Sequence, residues 1–346
     1  MTRRSGVTLI EVLVAIFVMA IGLIALLTLF PLGVLRMYQA LRDERCSECA
    51  YNADKIGIMF NVRNDTTVIT DTATGGKIAD FFANAGDPGT LPNADPYGES
   101  YPVFVDPIGY FASPAGNGKE WVGGVPGFLR RRPVAFTATK DVNRWFTLWD
   151  DISFESTNLD PLVPPGTAQR SGTSVLRNTR YSWAYLLQRP QTSDRSVVDC
   201  SIVVFDQRSL SLTGTLQLEE YVYQDKAYFN PTNGTITIDY TANVPPPLRV
   251  GDWIFDSTVY QSTRTPGRVS AHAFFYRVTA TEEFAAGGKT YARYEVQNPI
   301  RGFDPNRPAV FPPVPDPIDG TPAYQGTVVV IRGIAEVFEK GPARLP

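Results

Sequence analysis

One carboxylate stands where a carboxylate is costly. Glu11 is the sole ionisable residue between Ser5 and Leu35, inside an apolar run of 24 residues at 7–30. Charge is expensive in hydrocarbon, so an acid inside a segment of membrane length is a functional hypothesis by default. Arg3, Arg4 and Gly6 stand directly before the run. Other residues with chemistry to offer are few. Cys46 and Cys49 have the C-x-x-C spacing of redox and zinc sites. The chain's only other cysteine or histidine residues are Cys200 and His272, a thin supply for a zinc site, and any Ser-His-Asp triad would rest entirely on His272. No Walker-type phosphate loop and no Gly-x-Ser-x-Gly elbow is present. Asp150-Asp151, or Asp304 with Asp316 and Asp319, could gather around Ca²⁺, but the regular loop with a central Gly and a closing Glu is absent. The reading is therefore of a non-enzyme, with no cofactor and no metal.

These residues need elements to hold them. A spanning helix takes roughly 20 apolar residues, and 7–30 supplies them without a breaker other than Gly22. Arginines on the N-terminal side leave that end in the cytoplasm and export the chain beyond the apolar run. A cleaved signal peptide would have a shorter apolar region and a small-x-small site after it. A lipoprotein signal would need a Cys at the end of the run, and the first is Cys46. The Arg3-Arg4 pair also invites a twin-arginine reading. A retained anchor suits the length best. The helix should continue to about residue 60, a length of about 80 Å, with a kink at Pro31 and Gly33. Its second half carries charges on one side (Arg42, Asp43, Glu44, Arg45, Glu48, Asp54, Lys55). At 100° per residue, Leu35, Cys46, Cys49, Ala53 and Phe60 share a narrow arc, which reads as a packing stripe. A disulfide to Cys200 is an alternative use of the thiols.

Gly6-Val7-Thr8-Leu9-Ile10-Glu11-Val12 resembles the type IV prepilin motif shared by pilins and type II secretion pseudopilins. The resemblance covers about residues 3–60 and implies a set of expectations. A leader, residues 1–6, carrying Arg3 and Arg4, is cut between Gly6 and Val7 by prepilin peptidase. The same enzyme N-methylates Val7, although the family's first mature residue is usually Phe. Glu11 takes the place of the family's Glu, which meets the amine of a neighbouring subunit during filament assembly. At about 4 Å and an effective dielectric near 20, such a pair gains about 4 kcal/mol before desolvation. An unpaired acid at mid-bilayer costs about 2.5–3.5 kcal/mol on insertion scales, so pairing favours stacked subunits. Expected partners are the peptidase, other pilin-like subunits, an inner-membrane assembly platform and membrane lipid. The expected location is a single-pass inner-membrane protein with its bulk exported, later in an envelope or surface filament. Size suggests a minor subunit, and Glu11 argues against a permanent tip position, where no neighbour above would need the carboxylate. A type II secretion pseudopilin is the alternative. A membrane-anchored enzyme or binding module is a third reading.

The remaining chain predicts an α+β fold: a long N-terminal helix packed on a mostly antiparallel sheet region with long Pro/Gly-rich loops. The segments are a leader at 1–6, a membrane half of the helix at 7–30, an amphipathic half at 31–60, a loop-rich connection at 61–130 and a β-rich exported domain at 131–346. A short helix at 78–83 is expected within the connection. Strands are expected at 145–149, 181–187, 196–206, 215–223, 234–240, 252–255, 268–281, 290–297 and 327–339. Alternation puts Val198, Cys200, Ile202 and Val204 on one face. Pro245-Pro246-Pro247 and the Pro-rich 311–317 suit loops or edges, and 340–346 reads as a tail. Net charge is −3, without the basic field that nucleic acid would require. Arg130-Arg131-Arg132 reads as a solvated face. His272 reads as a satisfied strand histidine, and Tyr221 and Tyr223 as core or interface aromatics.

Overall fold

The computed structural model describes residues 9–60, 62–64, 102–106, 109, 122–124, 130–132, 153–156, 174–177, 181–188, 197–206, 208, 219–261, 269–301 and 313–344. The chain is α+β. Helix α1 (Leu9–Met59, 51 residues) runs through Pro31. The chain divides into two units, Met1–Glu48 and Cys49–Pro346, so the last part of α1 belongs to the second. Among the described residues no helix is long and apolar enough to cross a membrane.

The second unit holds two sheets. The first has five strands: β1 (Val103–Val105), β2 (Arg130–Arg132), β5 (Tyr181–Gln188), β6 (Val197–Asp206) and β16 (Ile334–Arg344), in the order β16-β6-β5-β1-β2. All neighbours are antiparallel except β1 with β2. β1 lies inside the 61–130 stretch yet takes a place within the sheet. The second sheet contains β7 (Glu220–Asn230), β8 (Thr235–Asp239), β9 (Trp253–Asp256), β12 (Phe274–Ala286), β13 (Lys289–Val296), β14 (Val314–Pro315) and β15 (Pro322–Ile331). Its order is β14-β15-β7-β8-β13-β12-β9, and β9 also pairs with β15. That last pairing closes six antiparallel strands into a small barrel, which removes sheet edges. β3 (Ser153–Ser156) pairs with β4 (Ser174–Arg177), and β10 (Val259–Gln261) with β11 (Val269–Ala271).

Period-two alternation explains how the layers stack. Barrel strands point one set inward: Tyr223, Phe229, Ile236, Ile254, Tyr294 and Tyr324 are among the buried residues there. Phe229 and Tyr324 stack with ring centroids 4.7 Å apart. The alternate set on β9, β12 and β15 (Trp253, Phe255, Phe275, Val329, Ile331) shares a second core with Phe104, Ala184, Leu186, Val203 and Phe205 of the five-stranded sheet. On that sheet's other face, Tyr185 donates its hydroxyl to the Ala53 carbonyl of α1 at 2.6 Å. The second unit is thus three layers: helix end, sheet, barrel.

Several expectations change. The expected strand at 268–281 is two strands, interrupted at His272-Ala273. There β9 leaves β12 for β15, with Ser257 N–H donating to the Thr327 carbonyl. The expected strand at 327–339 is also two, β15 and β16, separated by a turn at Arg332-Gly333. Gly333 has φ +85°, a backbone that L side chains rarely adopt, and the turn carries the chain from barrel to sheet. The expected tail is no tail up to Arg344: β16 pairs Pro342, Ala343 and Arg344 with β6, after a bulge that absorbs Gly341. The packing stripe is shorter than its arc. Cys46, Cys49 and Ala53 are buried, whereas Leu35 and Phe60 are exposed. Arg131 is no solvated face but is 1% exposed. Val314–Pro315 is an edge strand, as a Pro-rich segment allows. The expected strand at 145–149 and the expected helix at 78–83 lie outside the described residues.

Candidate functional site

The first candidate is the start of α1. From Leu9 to Ile24 every described side chain is exposed: Leu9 81%, Leu13 58%, Phe17 66%, Ile24 61%. The exposed apolar surface goes all the way round, with Glu11 the one acid within it. A helix that is apolar on every side belongs in an apolar surrounding. Arg3, Arg4, Gly6 and Val7 lie outside the described residues.

The thiols are structural in their geometry. No disulfide joins Cys46, Cys49 and Cys200, and all three are buried. Cys49, Ala50, Ala53 and Gly57 are small, which lets the end of α1 approach the sheet. A Cβ at Gly57 would stand 3.2 Å from Tyr185 Cε1. Cys200 shares this layer, as the alternation at 198–204 predicts. Burial pushes its thiol up to about 12, against the pull of nearby Arg63, so it stays protonated and a poor nucleophile or ligand.

His272 is buried, with Nδ1 3.1 Å from Asp256 Oδ2. Asp256 also accepts from the Thr258 N–H at 3.0 Å, and Tyr324 Oη lies 3.1 Å from it. Burial, then the Asp256 charge, pushes the Tyr324 and Tyr276 hydroxyls upward, so both remain protonated. This network pins the corner where the barrel closes. Asp316 and Asp319, read as Ca²⁺ candidates, are engaged otherwise. Arg293 Nη2 lies 2.7 Å from Asp316 and 3.1 Å from Asp319, and Thr237 Oγ1 donates to Asp316 at 3.1 Å. Among the described residues no group of three or more metal-ligating side chains gathers. Asp150, Asp151 and Asp304 lie outside the described residues. Tyr223 is core, its hydroxyl donating to the Val244 carbonyl at 2.9 Å.

A cluster that sequence reading missed ties the two sheets together. Arg208 grips Asp106 through two bonds of 2.6 and 2.7 Å. Arg131 Nε lies 3.1 Å from the same carboxylate and its Nη2 bonds Glu220 at the head of β7. Gly123 N–H donates to Glu220 at 2.7 Å, and Gly109 N–H to Asp106 at 3.0 Å. Two cations and two anions balance, all almost wholly buried. Burial opposes ionisation of Asp106, but the Arg208 charge and hydrogen bonds, aided by Arg131, hold its carboxyl below the usual range. The only sequence signal was a triplet of arginines. Its partners, Asp106, Arg208 and Glu220, are far away in sequence.

Residues 1–27 match the family described as the prokaryotic N-terminal methylation motif, the type IV prepilin-like cleavage and methylation signal. The match contains Gly6, Val7 and Glu11, and this signal supports a pilin- or pseudopilin-like protein. No curated protein and no solved structure matches the chain.

Proposed function

We propose that the chain is a large, minor subunit of a type IV pilus or a related pseudopilus, a structural protein without catalytic activity. Prepilin peptidase cuts it between Gly6 and Val7 and methylates Val7. Until assembly, the first half of α1 anchors it in the inner membrane, with the second unit exported. The observation that carries this reading is a single acid, Glu11, set in an all-round apolar helical surface within the matched motif. Cleavage creates a charged α-amine four residues before Glu11, at Val7. Both charges seek a partner in hydrocarbon, and stacking one subunit on the next supplies it at about 4 kcal/mol per pair before desolvation. An inner-membrane assembly platform would drive that stacking.

The test is co-expression of the full chain with a prepilin peptidase and mass spectrometry of the mature N-terminus. The expected species begins at Val7 and is one methyl group heavier than the bare peptide. Recovery of chains beginning only at Met1 would sink the reading. A Val7 start without the methyl group would retain cleavage and remove the methylation.

A further inference from the structure

Barrel closure removes sheet edges only as far as β9 reaches. β9 pairs with residues 274–277 of β12, and the Gly251 N–H and Asp252 carbonyl add a last pair of bonds to Val278. Beyond that point β12 runs on to Ala286 with β13 on one side and, among the described residues, no strand on the other. A bulge between Val278 and Ala280 absorbs one residue. Gly287 and Gly288, with φ +59° and +78°, then close the hairpin as a two-residue turn. In such a hairpin the flanking pair, here Ala286 and Lys289, exchanges ladder bonds, and bonding alternates from there. Thr290 fits this phase: its carbonyl turns the other way and accepts from the Tyr240 N–H beyond β8. Thr281, Glu283 and Ala285 therefore present their N–H and C=O groups to the open side, and all three residues are exposed.

An open edge of this kind is a template for another strand. This one is held in place. Phe284 is half-buried under the Arg293 guanidinium, 5.7 Å from its ring centroid, and Asp316 fixes Arg293. Charge decides what can pair there. Glu282 and Glu283 are exposed at the middle of the edge, and among the described residues neither has an ion-pair partner. The nearest cations along the hairpin, Lys289 and Arg293, are taken by Asp239 and Asp316. Successive side chains of a strand point to opposite faces, so an incoming strand meets an acid on each face. A second copy of β12, laid antiparallel about Glu283, would set that residue against itself, and like charges directly opposite are destabilising. A strand with two adjacent cations answers both acids.

We propose that the free edge of β12 from Thr281 to Ala285 takes up a basic extended segment of a partner protein as an added strand. This inference does not depend on how the N-terminal helix assembles. The test titrates the full chain, in a neutral detergent, with the blocked heptapeptide Thr-Val-Thr-Lys-Lys-Thr-Val and its Glu-Glu counterpart. Calorimetry reads affinity, and hydrogen exchange with fragmentation mass spectrometry reads the amides. The Lys peptide should bind about tenfold more tightly than the Glu peptide and slow exchange at the Thr281, Glu283 and Ala285 amides. Glu282→Lys/Glu283→Lys should reverse the preference. Ala285→Pro removes one outward donor without touching the β13 ladder, as an edge strand allows, and should weaken binding about fivefold with thermal unfolding unchanged. Two further Lys peptides, N-methylated at one or the other set of alternate residues, separate strand addition from charge attraction, and one of them should lose binding. The proposal fails if the Lys peptide does not bind, or if both N-methylated forms bind as the parent does. It also fails if the three amides slow without peptide as protein concentration rises, because a second copy then occupies the edge.

Discussion

The two units treat their apolar side chains in opposite ways. In the first, Leu, Ile, Val and Phe side chains of α1 lie 48–81% exposed from Leu9 to Ile24. In the second, a closed barrel and a sheet bury Tyr223, Phe229, Phe255, Tyr276 and Tyr324 at 1% exposure or less. Among the described residues of the second unit, six strands close into a barrel, and Arg131 and Arg208 pair with Asp106 and Glu220. The first is unfinished, because burying a Leu, Ile, Val or Phe side chain is worth about 1.5–3 kcal/mol and almost none of that is realised within the chain. The difference separates two jobs. The described core lies in the second unit, and in the proposed function the start of α1 serves association. Substitutions should therefore dissociate the two properties.

The sharpest separation comes from Glu11→Ala. Loss of a pair whose attraction is about 4 kcal/mol before desolvation should remove the variant from filaments, read by its absence from sheared filament fractions. Its thermal unfolding should match the parent's. Unchanged incorporation would show that the acid is not an assembly contact. Asp106→Ala should do the reverse. It leaves Arg131 and Arg208 facing Glu220 alone, one buried cation too many, and breaking such a pair costs about 3–5 kcal/mol. Denaturant unfolding reads that loss, while N-terminal processing proceeds. A loss under about 1 kcal/mol would mean that the cluster gains access to water. Gly326→Ala comes next. A Cβ there would stand 2.2 Å from Thr258 Oγ1 and 3.1 Å from Phe229 Cε2, at the seam where β15 meets β9. Overpacking of this kind costs about 1–3 kcal/mol, and amide exchange should rise first along β9 and β15. Exchange rising uniformly over the barrel would show that closure is not a local seam.

The two units were also unequally legible in the sequence. Glu11 and Gly6 could be read because the motif is local and its chemistry is carried by neighbours. β6 could be read because Val198, Cys200, Ile202 and Val204 alternate without interruption. Closure of the barrel could not, because it depends on Asp256–Thr258 leaving one partner for another some 70 residues away. Loss of ladder pairing at His272 has no local signature, since Val269-Ser270-Ala271-His272-Ala273-Phe274 is strand-like throughout. Arg131 misled for the same reason. Three adjacent arginines predict solvent, and only residues at 106, 208 and 220 make one of them a buried clasp.

Acid offers the mildest way to set the two units apart. Asp106 is held below its ordinary 3.8 in the fold: burial works against it, but the charge and hydrogen bonds of Arg208 prevail. Its folded value is the lower one, so between the two values the unfolded chain binds more protons. The stability that Asp106 contributes is therefore complete above about pH 4 and is lost as pH falls through the folded value. Asp239 and Asp319 shift the same way, but both are nearer solvent and weigh less. Unfolding midpoints should stay level from neutral pH to about 4 and decline below it. In Asp106→Asn the decline should be shallower from a lower starting point, because the residue no longer titrates. The helical signal of the apolar stretch at 9–30, followed in detergent, should stay level across the same range, since that stretch carries only Glu11 to protonate. A decline equally steep in Asp106→Asn would place the acid sensitivity outside the clasp.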